Sequence, residues 1–427
     1  MRVRIDPREC KGRCYNIDVV KNAADICSVV NHRLQKVARD LCSLIRWPHL
    51  IKDLPRVTLL YNALKIADRD LRVLAPAFGI LVGLGNYLWG DHGASVEQTK
   101  TICPSCLRLI GMKAIQVTQF GGPEVMEYVD IADPSPKANE ELITVTAIGI
   151  NYADTHQIEN GYLSPQTLPL IPGLEVVGNT NSGQRVLAAV EHGGYAQKAI
   201  ANKSLIIDVP DGITDAQALC MLVQGTTAWH ILKTVGHLSP YETVVIHAAA
   251  GGVGTIAIQL AKLWGAKVIA VTSSPSKAEL AKSLGADVSV DANSENLSEA
   301  LLAANGGKRV DLVLEMVGGK TFDASLEVLA PFGRLVTYGN ASRKPPRAVH
   351  PGSLITGTKT ITGFWLAHCF GHKELLQDVI AELFRLILVG KITPVIGGAY
   401  PLSLAVAAHQ EMLARKTSGK LTLDPAK

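Results

Sequence analysis

Apolar and polar positions change their rhythm twice along this chain. Before residue 112 the periodicity is patchy, and only 19–45 has apolar spacing that suits one or two amphipathic helices. From 112 to about 228, short runs are separated by turn residues such as Pro169, Pro172 and Gly173. They predict strands at 142–149, 184–190 and 195–200 with few long helices. From 243 onward, apolar runs of strand length alternate with helical stretches. Runs at 243–247, 267–271, 287–290, 311–316 and 334–338 predict buried strands, and 256–264, 276–284 and 321–329 predict helices between them. That alternation predicts an α/β protein with a doubly wound parallel sheet. The tail carries a helical pattern over 373–390 and then a return strand near Leu421. No internal repeat or low-complexity tract appears.

The first buried run leads into Ala249-x-Gly251-x-x-Gly254, and a helix pattern follows at once. A glycine pattern alone is weak evidence. Here a strand precedes it, a helix follows it and a second strand comes next, which is the arrangement that cradles a dinucleotide pyrophosphate on a helix amino end. The bland alternative is an ordinary strand-to-helix turn.

Composition refines this picture by position. The segment before Met112 has 17 Lys and Arg against 10 Asp and Glu, leaving 25 against 28 for the rest. The weak basicity therefore belongs to the first segment, and the remainder gives no argument for nucleic acid. Six of the eight cysteines also lie before Met112. Cys10, Cys14, Cys103 and Cys106 have the residue types of a four-thiolate zinc site but are widely separated. The body, with only Cys220 and Cys369, suits a reduced, cytoplasmic protein. No secretory signal is visible, and the uncharged stretch 73–90 is marginal for a membrane span and contains Pro76. Met112 opens a run that reads like a protein start on an edge strand. Residues 1–111 are expected to be an extension upstream of a complete enzyme, or else a docking or targeting segment.

From Met112 to its end the chain resembles the medium-chain dehydrogenase/reductase superfamily, in its zinc-free quinone oxidoreductase branch. The resemblance rests on Gly121-Gly-Pro-Glu-Val125, Ala147-Ile-Gly-Ile-Asn-Tyr-Ala-Asp154, Ile171-Pro-Gly-Leu-Glu175, Gln224-Gly-Thr-Thr-Ala228, His247-Ala-Ala-Ala-Gly-Gly-Val-Gly254 and Gly333-Arg-Leu-Val-Thr-Tyr-Gly-Asn340. It implies a GroES-like split β-barrel catalytic domain over 112–228 and 364–427 around a central Rossmann domain over 229–363. It also implies a homodimer or higher oligomer and a reductase that uses a nicotinamide cofactor, here expected to act on quinones or α,β-unsaturated carbonyls. Where zinc-dependent members place ligands, this chain has Asn151, Leu174 and Gln224. Those side chains do not make a catalytic zinc site, so no metal is expected.

Without a Lewis acid, conjugate reduction remains open: hydride adds to an electron-poor carbon, and the oxygen that gains charge needs only hydrogen-bond donors and a proton. The resemblance places Asn151, Tyr152 and Tyr162 in that pocket, with Tyr162 as proton donor or as a residue that only stacks in the cleft. It places Thr227, Ala250, Gly251, Gly252, Val253, Gly254, Asn340 and Phe364 on the cofactor. The second strand ends in Val-Thr-Ser-Ser-Pro-Ser-Lys, with no acid for a ribose diol. Ser273, Ser274 and Lys277 suit a 2′-phosphate instead, favouring NADPH. Two departures stand out: Ala292 occupies a place where many relatives have tyrosine, and the loop between Gly178 and Gln184 is short. The scattered His156, His230, His247 and His368 are expected to pack or hydrogen-bond in the core. The rival readings are an enoyl-thioester reductase, and a cofactor-binding protein with little turnover.

Overall fold

The computed structural model describes residues 111–427. The thiolate cluster at Cys10, Cys14, Cys103 and Cys106, the apolar stretch 73–90 and the helices expected in 19–45 lie outside the described residues. Among the described residues no helix is long and apolar enough to cross a membrane.

Strands β1 (Gly111–Val117) and β2 (Met126–Ala132) form an antiparallel hairpin. Strands β3 (Glu140–Ile150), β4 (Glu175–Thr180), β5 (Arg185–Ala189), β6 (Lys198–Asn202) and β7 (Ile206–Asp208) follow. They build most of a seven-stranded sheet, ordered β14-β15-β3-β4-β5-β7 with β6 paired to β3. Its last two strands, β14 (Ile396–Pro401) and β15 (Lys420–Asp424), come from the far end of the chain, as a split domain requires. β4 and β5 are joined by a tight turn in which Gly183 has φ +84° and its N–H donates to Thr180 O (2.9 Å). The short loop is thus a tight hairpin turn.

Between these two portions stands the parallel sheet: β8 (Thr243–Ile246), β9 (Lys267–Thr272), β10 (Val288–Asp291), β11 (Val310–Glu315), β12 (Leu329–Thr337) and β13 (Thr360–Gly363). Its order is β10-β9-β8-β11-β12-β13, and every pairing is parallel. The sequence runs outward from β8 in both directions, which puts the crossover switch point between β8 and β11. Burial explains the uninterrupted apolar runs. Val244 and Ile246 point into one core with Val268, Ala270, Leu312 and Leu314, while Val245 enters the other with Ile269, Val271 and Val313.

Elements expected from the pattern appear with shifted ends, such as the tail helix, which runs Gln377–Leu388 because residues 372–376 form a turn. The helices Tyr152–Ile158 and Leu297–Ala304 and the strands β13 and β14 are additions that the pattern did not predict. His230 bonds Thr234 Oγ1 and Leu375 O, and buried His247 bonds Ser325 Oγ (2.8 Å). His156 is half-buried beside Tyr152, whereas His368 is exposed against the edge of Trp365 and is not a core residue.

Candidate active site

The turn after β8 leads into the helix Gly252–Leu263, with Gly251 as an extended N-cap that offers no side chain. Its first amides therefore lack a side-chain cap and remain donors for an anion. Two glycines of this turn leave no room for a side chain. A Cβ on Gly254 would sit 2.5 Å from Ala248 O, so the helix could not pack on its strand. A Cβ on Gly252 would sit 2.1 Å from the Gln224 side chain, closing the space over the turn. Ala250 and Val253 complete this cradle. Ala250 O accepts Gly419 N–H (2.8 Å), which ties the turn to the start of β15.

Ser274 caps the helix Pro275–Ser283 by accepting Lys277 N–H, while neighbouring Ser273 is half-buried. Lys277 Nζ donates to Arg415 O (2.7 Å). Burial, helped by the nearby Arg415 charge, moves the Lys277 ammonium below its ordinary range. Two positive side chains thus stand at the end of β9. Lys277 was legible in the sequence. Arg415 was not, because it lies 138 residues away.

The opposite wall comes from the other sheet. Asn151 follows β3 and is the N-cap of the helix Tyr152–Ile158, with Asp154 closing a capping box. Asn151 is 3% exposed, and its amide is held on both sides. Nδ2 donates to Glu175 Oε1 (2.7 Å), and Oδ1 accepts from Lys420 Nζ (3.0 Å) and Gln224 Nε2 (3.4 Å). Lys420 also donates to Ile150 O (3.2 Å) and forms a fully buried ion pair with Glu175. The second Glu175 oxygen accepts Val223 N–H (3.1 Å) in a π-helical turn, Met221–Gly225. Asn151 and Gln224, which sequence reasoning placed at two zinc-ligand positions, therefore do meet. Leu174 lies next to Glu175 and is half-buried.

Beneath Asn151 lies a second buried chain. Asp154 Oδ2 accepts Asn151 N–H (2.8 Å) and Tyr195 O–H (2.8 Å), and the Tyr195 oxygen also meets His409 Nε2 (2.8 Å). Burial pushes the Asp154 carboxyl up to about 7 and the His409 imidazole down to about 4. Sequence reasoning missed both, since neither stands in a spacing that signals chemistry.

The two tyrosines differ. Tyr152 O–H donates to Ala341 O (3.1 Å) and its oxygen accepts from Arg343 (3.0 Å), so its proton is engaged. The Tyr162 oxygen accepts Trp365 Nε1–H (3.2 Å), and its own O–H has no protein acceptor among the described residues. The Trp365 ring meets Tyr162 edge-on at 6.2 Å, and burial raises the phenol above its ordinary range. Thr227 is buried in the short helix Thr226–Trp229, and Asn340 is exposed after β12. Phe364 stacks on His230 at 5.4 Å, and its N–H donates to Thr337 O (2.9 Å).

Comparison with known proteins agrees with this geometry. Residues 252–385 match the family model described as zinc-binding dehydrogenase. A quinone oxidoreductase of Pseudomonas aeruginosa is 36% identical over 325 residues, covering 73% of this chain and 99% of the relative. Quinone oxidoreductase 1 of Escherichia coli is 35% identical over 327 residues, with the same coverage. Among solved structures, a mycobacterial protein complexed with NADPH is 39% identical with a TM-score of 0.70, covering 74% of this chain and 100% of that chain. The Escherichia coli quinone oxidoreductase complexed with NADPH is 33% identical with a TM-score of 0.70, covering 73% and 100%. With its parallel sheet, split antiparallel sheet and near full-length match to such relatives, the chain belongs to the quinone oxidoreductase family of the medium-chain dehydrogenase/reductase superfamily.

Proposed function

We propose that this oxidoreductase reduces quinones or α,β-unsaturated carbonyls with NADPH and without a metal. The observation that carries the metal-free reading is the buried Lys420–Glu175 pair around Asn151. A fixed ammonium bonded to Asn151, one of the side chains at the zinc-ligand positions, and paired with Glu175 repels a second cation there, and Asn151 and Gln224 offer no thiolate or imidazole. NADPH suits the residues present: uncapped amides at the glycine turn for the pyrophosphate, and Ser273, Ser274, Lys277 and Arg415 for a 2′-phosphate. Thr227, Asn340 and Phe364 are assigned to the nicotinamide end.

Bound NADPH supplies the hydride. The chain's own work is then to hold the acceptor's carbonyl oxygen and to give it a proton. Tyr162 has the free O–H for both tasks, and Asn151 keeps one unbonded N–H as a second donor. Tyr152 positions the wall beside them. Residues 112–427 are assigned the complete oxidoreductase, with 1–111 outside it. The protein is assigned a homodimer, and β10 and β13, the two edges of the parallel sheet, are its candidate pairing strands among the described residues.

Two measurements test this reading. Turnover of a simple quinone or alkenal with NADPH is expected to survive exhaustive chelation; activity that is lost on chelation and returns with zinc overturns the metal-free assignment. NADPH is expected to bind more tightly than NADH. Lys277→Ala is expected to narrow that preference about tenfold, the worth of one charge-assisted hydrogen bond at about 1.5 kcal/mol. Equal affinity of the unmodified protein for both cofactors overturns the 2′-phosphate assignment.

A further inference from the structure

Arg343 breaks two local rules at once. It follows β12 in a turn closed by its own N–H on Asn340 O (3.0 Å), yet it has φ +56°, a conformation that disfavours a side chain. Its main partner, Glu159, is the C-cap of the helix Tyr152–Ile158, where the helix dipole disfavours an acid. Local costs of this kind persist where the surrounding structure needs them.

The need is visible in the guanidinium. Nε and Nη2 donate to the two Glu159 oxygens at 2.6 and 2.8 Å. The second Nη2–H goes to Thr155 Oγ1 (3.0 Å), and Nη1 serves the Tyr152 oxygen (3.0 Å) and Ala341 O (3.1 Å). All five donors are used. The cation also lies over the Tyr152 ring, 5.5 Å from its centre. Residues 152, 155 and 159 occupy one helical face, spaced i, i+3, i+7. One side chain from the parallel-sheet lobe thus grips the face of the helix that begins at Asn151.

Two kinds of contact join the lobes here. The apolar core in which Leu187, Leu222 and Leu383 meet Val244, Ile256 and Leu260 is buried, so separating it would expose apolar surface to water. The Arg343–Glu159 contact is half-exposed, with side chains 32% and 28% accessible. Water can re-solvate it, so it is the contact that opens at low cost.

We infer that Arg343 is a positioning residue: its fork on Glu159 and Tyr152 latches the cofactor lobe to the Tyr152 helix, fixes that wall of the cleft and limits the rate at which bound cofactor leaves. The last part rests on the NADPH reading; the latch itself does not.

Stopped-flow release of NADPH from the full chain tests it, together with backbone hydrogen exchange of residues 152–159 without cofactor. Arg343→Ala and Glu159→Gln are each expected to release NADPH at least tenfold faster. Arg343→Lys, which keeps the charge and loses the fork, is expected to fall between them and the parent. The exchanged pair, Arg343→Glu with Glu159→Arg, is expected to recover most of the slow release. Release from the parent is expected to quicken with salt, and release from Arg343→Ala to lose that dependence. A role confined to folding predicts neither the recovery nor the salt response. Release rates and salt response within twofold of the parent in Arg343→Ala overturn the gating role. Unchanged exchange in residues 152–159 overturns the latch. If the parent binds no NADPH but exchange still quickens in Arg343→Ala, the cofactor reading falls and the latch stands.

Discussion

Tyr162→Phe is expected to lower turnover of an alkenal about 100-fold or more while leaving NADPH affinity nearly unchanged. The substitution keeps the ring, so its edge contact with Trp365 at 6.2 Å survives and only the hydroxyl is lost. That hydroxyl is singled out by what it does not do. Tyr152 spends its proton on Ala341 O and Tyr195 spends its own on Asp154, whereas the Tyr162 O–H has no protein acceptor among the described residues. Trp365 Nε1–H occupies the Tyr162 oxygen as acceptor, so the O–H turns away from that donor. Because burial raises the phenol above its ordinary range, it stays protonated at neutral pH and acts as a donor throughout the working range. A quinone is expected to lose less than an alkenal, since the reduced quinone can take protons from water. Steady-state rates for the two substrates side by side decide the matter. Full alkenal activity in Tyr162→Phe removes this residue from the catalytic assignment and leaves solvent as the proton source.

The parts of this molecule written locally were legible in the sequence. The strand, glycine turn and helix from Thr243 to Leu263 follow from residues within one short window, where backbone geometry dictates residue type. The parallel strands follow from burial on both faces, which forces apolar residues at successive positions. What stayed hidden is long-range. Trp365 meets Tyr162 across 203 positions, Lys420 meets Glu175 across 245, and Arg343 meets Glu159 across 184. No periodicity links such pairs. One signal was available: Glu175 is an acid in an apolar setting and required a cation from elsewhere, and the lysine opening the return strand was a candidate. The tail helix was placed too early for a plainer reason. Residues 372–376, His-Lys-Glu-Leu-Leu, fit a helical pattern as well as a turn, and hydrogen bonds to His372 O decide for the turn.

Removing only the cation of the buried pair is expected to destabilise the protein strongly. Lys420→Met leaves the Glu175 carboxylate with Asn151 Nδ2 and Val223 N–H but no opposite charge, in a place where both side chains are 0% exposed. Losing one partner of such a pair costs about 3–5 kcal/mol, most of it the penalty of a buried charge left alone. The pair itself is worth much less than that, because bringing both ions out of water offsets their attraction. Glu175→Gln in the Lys420→Met background removes the stranded charge and keeps an oxygen for Asn151. The double variant is therefore expected to be more stable than Lys420→Met, with a coupling of about 2 kcal/mol or more. Denaturant unfolding of the four proteins measures this directly. A loss below about 1 kcal/mol in Lys420→Met would mean that water reaches the pair in the folded protein. The electrostatic argument against a metal would then fail with it, since a hydrated lysine side chain can swing aside and leave Glu175 to a cation.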